Sequence, residues 1–133
     1  MRKSIFFNNQ IDDIKNLTEV VEEIGNELNM NPGEIFNFNL ILEEALTNII
    51  FYGYDHEAQD KIEVMVNHDN DSLSVEIIDS AKPFDITTRE QGAHSGLTED
   101  TQVGGLGILL IKKLSKSINY KRENGKNHLI INI

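Results

Sequence analysis

Apolar side chains recur every three to four residues near the start of the chain. Between Gln10 and Leu28 this spacing marks one face of a helix, and many of the residues in between are acidic, as expected where a helix meets water. Residues 2–7 precede it and can form a short strand. The pattern therefore predicts a first strand and then an amphipathic helix. The apolar positions of that helix are Ile11, Ile14, Leu17, Val21, Ile24 and Leu28.

A second helix is predicted from Pro32 to Phe51. Asn31 can cap it, Pro32 suits its first position, and Glu34 can return a hydrogen bond to the cap. Apolar residues surround this helix on nearly all sides, which predicts that other elements cover most of it. Glu44 lies within this apolar stretch and therefore needs a partner or a function.

Alternation of apolar and polar residues predicts two strands over residues 61–66 and 73–77, joined as a hairpin by a polar connector. Asn124-Gly125 is a strong hairpin turn and predicts a second pair of strands, Ser117–Glu123 and Lys126–Ile133. Two hairpins favour a largely antiparallel sheet.

Residues 86–104 show no convincing periodicity, and long irregular connections of this kind are typically lids or disordered segments. Gly104-Gly105-Leu106-Gly107 follows and is interpreted as the start of a short helix over residues 108–114. The order β-α-α-β-β-(lid)-α-β-β predicts one α+β domain over residues 1–133. Its architecture is a two-layer sandwich in which a mixed, mostly antiparallel sheet carries helices on one face. A length of 133 residues agrees with a single domain.

Composition narrows the function classes. The absence of cysteine excludes disulfides, thiolate metal sites and a cysteine nucleophile. A net charge of −10 speaks against nucleic acid, since phosphate neutralisation dominates that affinity. No stretch has the length of a signal peptide or a membrane span, so a soluble cytoplasmic protein is expected. A polyanionic ligand on so acidic a chain requires a divalent cation or backbone amides.

Basic residues concentrate at the end of the chain. Residues 111–133 carry six basic and one acidic side chain, a sum of +5, whereas residues 1–110 carry six basic and 21 acidic side chains, a sum of −15. The basic residues are interpreted as the solvated side of a helix and a hairpin, with a small docking surface as the alternative.

Glu44 and Asn48 are the first candidate pair for chemistry. They lie four residues apart and therefore share a helix face. A carboxylate and an amide oxygen suit magnesium, and a partly desolvated glutamate suits a general base. The spacing alone equally fits an exposed pair on the helix surface.

Two further positions are candidates for ligand binding. Asp79 ends a predicted strand, where its carboxylate can accept a hydrogen bond from the amino group of a purine or cap the next turn. Gly105, Leu106 and Gly107 at a helix start can offer backbone N–H groups to an anion, or simply allow close packing. The dinucleotide and P-loop fingerprints are both absent from the sequence.

In this order the three patterns resemble the sequence boxes of the gyrase/histidine-kinase/MutL type of ATP-binding domain, which has the Bergerat-type ATP-binding fold. The residues that carry the likeness are Glu44–Asn48, Asp79–Asp85 and Gly104–Ile108. Small size, Pro83-Phe84-Asp85 and the Gly-Gly-Leu-Gly sequence are most similar to the anti-sigma-factor serine kinases. The likeness extends over the whole chain.

The resemblance implies a role for each box. Asn48 would hold a magnesium ion that bridges the ATP phosphates, and Glu44 would be the catalytic base toward the attacking hydroxyl. Asp79 would accept from the adenine amino group, with Ala81 beside the base. The phosphates would lie beneath a lid at about residues 86–104, and the residues that would bind them through backbone N–H groups are Gly104, Gly105, Leu106 and Gly107.

Three positions depart from the family pattern. Ala81 stands where the family has a glycine, which adds a methyl group beside the purine and resists positive φ. Tyr52 stands where a histidine is common. Near the final hairpin the family offers a threonine to the adenine site, whereas only Asn127 or His128 is available here.

The resemblance implies a magnesium-dependent serine/threonine protein kinase. Its partners would be a small antagonist protein of the anti-anti-sigma type, which it phosphorylates, and a sigma factor or comparable regulator, which it sequesters. It also implies a homodimer formed through the first strand and helix. Because of the departures, a non-catalytic switch stays open as the alternative, in which ATP only sets the lid and the affinity for a partner protein. An unliganded structural domain is a third interpretation.

Overall fold

The structure, a computed structural model, describes residues 1–55, 59–70, 72–88 and 99–133, and only the backbone of residues 99–106. Five strands form one sheet in the order β1-β2-β3-β5-β4, and every described pairing is antiparallel. Both predicted hairpins, β2–β3 and β4–β5, are present. The strands are β1 Arg2–Asn8, β2 Lys61–Asp69, β3 Ser72–Asp79, β4 Ser117–Glu123 and β5 Lys126–Asn132.

In the described part of the chain, three α-helices cover one face of this sheet. They are α1 Leu17–Glu27, α2 Pro32–Asn48 and α3 Glu99–Leu114. The two-layer α+β architecture predicted from the sequence is thereby confirmed, with the sheet antiparallel at each described pairing rather than mixed. No helix in the described part of the chain is both long enough and apolar enough to cross a lipid bilayer.

The first predicted helix is divided in two. A single 3-10 turn at Ile11–Ile14 comes before α1, because the Asp13 carboxylate accepts a hydrogen bond from the Asn8 backbone N–H at 2.8 Å. That contact ties the turn to the end of β1. The helical periodicity that begins at Gln10 is therefore real, but the continuous helix begins only at Leu17.

The start of α2 follows the sequence prediction. Asn31 Oδ1 accepts from the Glu34 N–H at 2.8 Å, and Glu34 Oε1 accepts from the Asn31 N–H at 2.9 Å. This reciprocal pair satisfies two backbone donors that the first turn leaves free. Its end differs, because the α-helix stops at Asn48 and the chain continues in a π-helical turn, Ile49–Gly53.

The core lies between the sheet and the central helix α2. Alternate residues of the inner strands pack on α2, and α2 in turn packs against α1 on one side and α3 on the other. This explains why α2 is apolar on most sides, although Phe36 remains 63% exposed, and Phe51 in the π-helical turn that follows is 58% exposed. Fully buried members of the core include Phe38, Ile41, Leu42, Leu46, Ile62, Val64, Leu73, Ile77, Ile111 and Ile131.

Helix α3 begins earlier than predicted. It starts at Glu99, so Gly104–Gly107 lie inside the helix rather than at its start. Glycine is a poor helix former, which favoured a loop there, but acidic residues at positions 99 and 100 suit a helix N-terminus. Of the predicted lid at 86–104, Ile86–Thr88 form a short 3-10 turn and residues 99–104 belong to α3. Residues 89–98 lie outside the described part of the chain.

Candidate functional site

A cleft lies where α2, the end of β3, α3 and the β4–β5 hairpin meet. Its cavity has a volume of about 30 Å³, room for one or two water molecules. Its floor is apolar, and Asn48, Asp79 and Asn127 are the buried polar residues that line it. The apolar lining includes Ala45, Ile49, Ile86, Ile111 and Leu129.

Glu44 and Asn48 meet α3 at Gly107. A methyl group on Gly107 would lie 2.6 Å from Glu44 Oε2 and 3.3 Å from Asn48 Nδ2. The first of these distances is shorter than any real contact of a methyl carbon, so only glycine leaves the Glu44 carboxylate where it is. The fold therefore brings the first and the third sequence box together, as the resemblance requires.

The resemblance implies that Asn48 helps to bind a cation, and its surroundings can be compared with that role. It is 4% exposed, and its Nδ2 atom has no hydrogen-bond partner among the described residues. A buried polar group without a partner costs free energy, and in native proteins such a group is typically explained by a function or a bound species. The amide also carries an oxygen, the ligand type that magnesium prefers. The unpaired Nδ2 is a hydrogen-bond donor and fits a phosphate oxygen, whereas the amide oxygen is the atom that would bind magnesium.

Glu44 is half-buried beside this amide. Burial raises the pKa of the Glu44 carboxyl, and the charge of the neighbouring Glu43 raises it further. A glutamate whose pKa lies above its ordinary value is a better proton acceptor than an exposed one. The arrangement is chemically suited to take a proton from a hydroxyl brought next to Gly107.

Asp79 lies at the other end of the cleft and is 4% exposed. Its Oδ1 atom accepts two hydrogen bonds, from the Ala81 backbone N–H at 2.9 Å and from Asn127 Nδ2 at 2.8 Å. Burial raises the pKa of Asp79, while those hydrogen bonds and the positive charge of Arg122 oppose the rise. The carboxylate can thus serve as a fixed acceptor in an apolar cleft.

Ala81 is accommodated by a glycine opposite it. A Cβ atom on Gly53 would lie 2.8 Å from the Ala81 Cβ, so the alanine methyl occupies space that Gly53 leaves free. Gly53 O also accepts from the Lys82 N–H at 3.2 Å, which fixes the turn after β3. The expected conflict with positive φ does not arise, because the described non-glycine residues with positive φ are Asn29, Asn70 and Asn124.

The final hairpin supplies Asn127 rather than His128. Asn127 points inward from β5 to Asp79, whereas His128 faces the other side of the sheet, where its Nδ1 lies 3.0 Å from Glu76 Oε2. Alternation along β4 also directs Tyr120 and Arg122 inward, and both contact Asn127. Neither residue was predicted as part of the site, although the period-two pattern of the strand contained that signal.

The glycine-rich segment is not arranged as predicted. In an α-helix that begins at Glu99, the N–H groups of Gly105, Leu106 and Gly107 lie beyond the first turn and are available to carbonyls four residues earlier. The prediction that they stand free at a helix start is therefore wrong for this conformation. Gly104 precedes them in the same helix. That these four residues bind phosphate stays a prediction.

The fold has counterparts among solved structures. The structure of the RsbU and RsbW domains of Rv1364c from Mycobacterium tuberculosis superposes with a TM-score of 0.67 at 14% identity, covering 99% of this chain and 32% of that one. The SiaB–SiaC complex from Pseudomonas aeruginosa gives a TM-score of 0.63 at 20% identity, covering 97% of this chain and 88% of the other. At these identities the likeness establishes the fold.

The chain is also similar in sequence to proteins named as serine kinases. A serine/threonine-protein kinase, BtrW, from Bordetella bronchiseptica is 26% identical over 96 residues, which is 72% of this chain and 68% of the relative. The serine-protein kinase RsbW of Listeria innocua is 29% identical over 96 residues, 68% of this chain and 60% of the relative. RsbW of Halalkalibacterium halodurans is 26% identical over 115 residues, 79% of this chain and 66% of the relative. The matched region is thus only about three-fifths to two-thirds of each relative.

The class of protein that these comparisons establish is an ATPase-like domain. The family model described as the histidine kinase-like ATPase domain matches residues 7–133, nearly the whole chain. The chain belongs to this family, and the resemblance inferred from the three sequence boxes is confirmed.

Proposed function

We propose that the chain binds Mg-ATP in the cleft between α2 and the β4–β5 hairpin and transfers the γ-phosphoryl group to a serine or threonine of a small antagonist protein. The observation that carries this proposal is the contact of Gly107 with Glu44 and Asn48. It brings a carboxylate, an amide and a glycine-rich segment together in one place. Asp79, which can bind a nucleobase, lines the same cleft as Asn48.

The binding roles divide between the two ends of the cleft. Asp79 would accept a hydrogen bond from the amino group of adenine, with Ala81 next to the base. Asn48 would hold the magnesium ion, which supplies charge neutralisation for the phosphates when it is bound. The phosphates themselves would lie at the N-terminal half of α3, at Gly104, Gly105, Leu106 and Gly107. A chain with a net charge of −10 needs such a cation to hold a polyanion.

Glu44 would act on the phosphoryl acceptor. It takes the proton of the attacking hydroxyl as the bond from that oxygen to the γ-phosphorus forms and the bond to the leaving ADP oxygen breaks. The raised pKa of Glu44 favours this proton transfer. Otherwise phosphoryl transfer asks the protein chiefly for positioning and charge compensation, which the buried Asn48 and Asp79 are placed to give.

The relatives support the regulatory part of the proposal. Several carry names of serine kinases, and one structural neighbour is a complex of two proteins. By this likeness the substrate would be an antagonist protein of the anti-anti-sigma type, and a second face would sequester a sigma factor or a comparable regulator. Self-association through β1 and α1 stays a prediction.

Calorimetry with a magnesium comparison tests the nucleotide site. Titration of the wild-type chain with ATP in the presence of magnesium should give a saturable heat signal. The wild-type affinity for ATP should be higher with magnesium than with EDTA, and Asn48→Ala should lose most of this difference. Asn26→Ala, a substitution on the exposed face of α1, is the matched control. The proposal fails if wild-type chain gives no saturable signal with Mg-ATP.

The alternative is a switch that binds ATP without transferring phosphate. It is favoured by the position of Gly104–Gly107 inside α3, since binding phosphate there would reorganise the start of that helix and could change affinity for a partner directly. Incubation with γ-labelled ATP and co-purifying proteins separates the two functions. Label on a serine of a partner protein contradicts the pure switch.

A further inference from the structure

Asn127 uses both ends of its amide within the protein. It is 4% exposed, at the start of β5. Its Nδ2 donates to Asp79 Oδ1 at 2.8 Å and to the Lys82 carbonyl at 3.0 Å. Its Oδ1 accepts from the Tyr120 hydroxyl and from Arg122 Nη1, the latter at 3.0 Å. A third, longer hydrogen bond runs from Nδ2 to the Ala81 carbonyl at 3.4 Å, so both ends of the amide have at least their ordinary full complement of partners.

This pattern fixes the orientation of the amide. If its oxygen and nitrogen exchanged places, the NH₂ group would face the donors of Tyr120 and Arg122, and the oxygen would face the carboxylate of Asp79. Such an arrangement would pair like with like and leave buried groups unsatisfied. Asn127 therefore has one stable orientation and little remaining capacity to bind a ligand itself.

The fixed orientation of the Asn127 amide also restricts the Asp79 side chain. Its Oδ1 is held by Asn127 and by the Ala81 N–H, so the carboxylate cannot rotate without breaking two hydrogen bonds. No hydrogen bond to Oδ2 is found among the described residues. Since Asp79 lines the cleft, Oδ2 is the acceptor that remains for a ligand. A charged acceptor held in this way binds an N–H donor and repels a carbonyl oxygen.

We propose that Asn127 is a positioning residue that fixes Asp79 and thereby sets the preference of the cleft for a nucleobase with an exocyclic amino group. The inference rests on the proposed binding of a nucleotide in this cleft. Tyr120 and Arg122 contribute indirectly, because they donate hydrogen bonds to the Oδ1 atom of Asn127. Arg122 Nη1 also donates to the Ala81 carbonyl at 2.7 Å, which fixes the turn that carries the Ala81 N–H.

Base discrimination is the measurement that isolates this role. Inosine triphosphate has a carbonyl oxygen where ATP has its amino group and an N–H where ATP has the acceptor nitrogen N1, so it reverses the donor and acceptor pattern of that base edge. The Asn127→Asp variant keeps the size of the side chain, but its carboxylate cannot donate the hydrogen bond that Asn127 Nδ2 gives to Asp79. Its affinity for Mg-ATP should fall by about tenfold or more, the effect of losing one charge-assisted hydrogen bond. Its affinity for Mg-ITP should change much less, so the ATP-to-ITP ratio shrinks.

Controls separate positioning from a general loss of structure. Asn119→Ala on the exposed side of β4 should leave both affinities unchanged. A merely structural role for Asn127 would lower both affinities by the same factor. Tyr120→Phe removes one donor to Asn127 Oδ1 and should reduce the ratio in the same direction by less. If thermal unfolding shows that Asn127→Asp does not fold, the ATP-to-ITP affinity ratio of Tyr120→Phe tests the proposal instead.

The outcomes distinguish this inference from the proposed function. If wild-type chain binds neither nucleotide, the nucleotide site itself is wrong. If wild-type chain binds Mg-ATP and Mg-ITP equally, or if the ratio is the same in wild type, Asn127→Asp and Tyr120→Phe, then Asn127 does not set base preference and the inference is overturned. A shrinking ratio with an unchanged Asn119→Ala control supports it.

Discussion

Gly107 of α3 lies directly against the carboxylate of Glu44 on α2. A methyl group at Gly107 would be 2.6 Å from Glu44 Oε2, and the next nearest atom would be Asn48 Nδ2 at 3.3 Å. The atom in closest contact is the end of a flexible side chain rather than backbone. Substitution at this glycine is therefore expected to displace the candidate base without breaking the helix packing.

Gly107→Ala should separate activity from stability. Alanine improves helix propensity by up to about 1 kcal/mol, which offsets the cost of moving the Glu44 carboxylate. The free energy of unfolding should change by less than about 1 kcal/mol, whereas phosphoryl transfer should fall by about a hundredfold because the base is misplaced. Urea unfolding and label transfer measure the two effects. Lys113→Ala, at an exposed position of α3, is the control. Equal activity in both variants would contradict the placement of Glu44.

Glu44→Gln should abolish transfer and keep most nucleotide affinity. The amide cannot take a proton, and general-base catalysis contributes at least about a hundredfold. Glu23→Gln, at an exposed position of α1, is the control. Label incorporation and calorimetry give the two readouts. Transfer at the wild-type rate in Glu44→Gln would remove this residue from the mechanism.

The same residue predicts the pH dependence of transfer. Burial and Glu43 raise the pKa of Glu44, and the base must be ionised to accept a proton. The rate should therefore fall as pH decreases through a value above that of an ordinary glutamate, whose pKa is about 4.3. A single-turnover rate profile of the wild-type chain locates this midpoint. A midpoint at or below that of an exposed carboxyl would contradict the assignment.

Asp79→Asn should keep the fold and lose the ligand. Because burial raises the pKa of Asp79, the folded state holds its proton more tightly than the unfolded state does. The wild-type free energy of unfolding therefore loses a contribution as pH rises from the ordinary carboxyl range, at about 4, through the raised pKa. The free energy of unfolding of the variant, measured by urea titration between about pH 4 and 7, should lack this part of its pH dependence. Its affinity for Mg-ATP should fall sharply, since an amide NH₂ replaces the free acceptor.

The control for this prediction is Asp69→Asn, an exposed carboxylate at the end of β2. It should keep both the wild-type pH slope and the wild-type nucleotide affinity. If Asp79→Asn retains the full slope, another group causes the acid-range dependence. If it retains nucleotide affinity, Asp79 is not the base-binding acceptor.

Local signals in the sequence predicted most of the fold. The Asn31–Glu34 capping pair, the Asn124-Gly125 turn and the two alternating hairpins each depend on interactions within a few residues, and each appears in the structure. The meeting of Glu44 and Gly107 could not be derived from spacing, since it depends on how α3 packs on α2. It followed only from a resemblance that carried the three-dimensional arrangement with it.

Where the prediction failed, tertiary contacts overrode local preference. Gly104–Gly107 favour a loop by propensity, yet they lie inside α3, which packs against α2. Asn127 and His128 were equivalent in sequence, and only the register of β5 against β3 directs Asn127 to Asp79. Arg122 was grouped with solvated basic residues, although its position on β4 brings its guanidinium to the Ala81 carbonyl.

The pairing of Gly53 with Ala81 predicts a compensating double substitution. Gly53→Ala places two Cβ atoms 2.8 Å apart and should lower the free energy of unfolding by about 1–3 kcal/mol, the usual cost of overpacking. Ala81→Gly alone removes one buried methyl group and should cost about 1 kcal/mol. The double variant moves the methyl group to the other side of the same contact, so it should be more stable than Gly53→Ala, with a coupling energy of about 1 kcal/mol or more in a double-mutant cycle. Purely additive costs would show that the two residues do not share this space, and the account of how the chain tolerates alanine next to the base site would then be wrong.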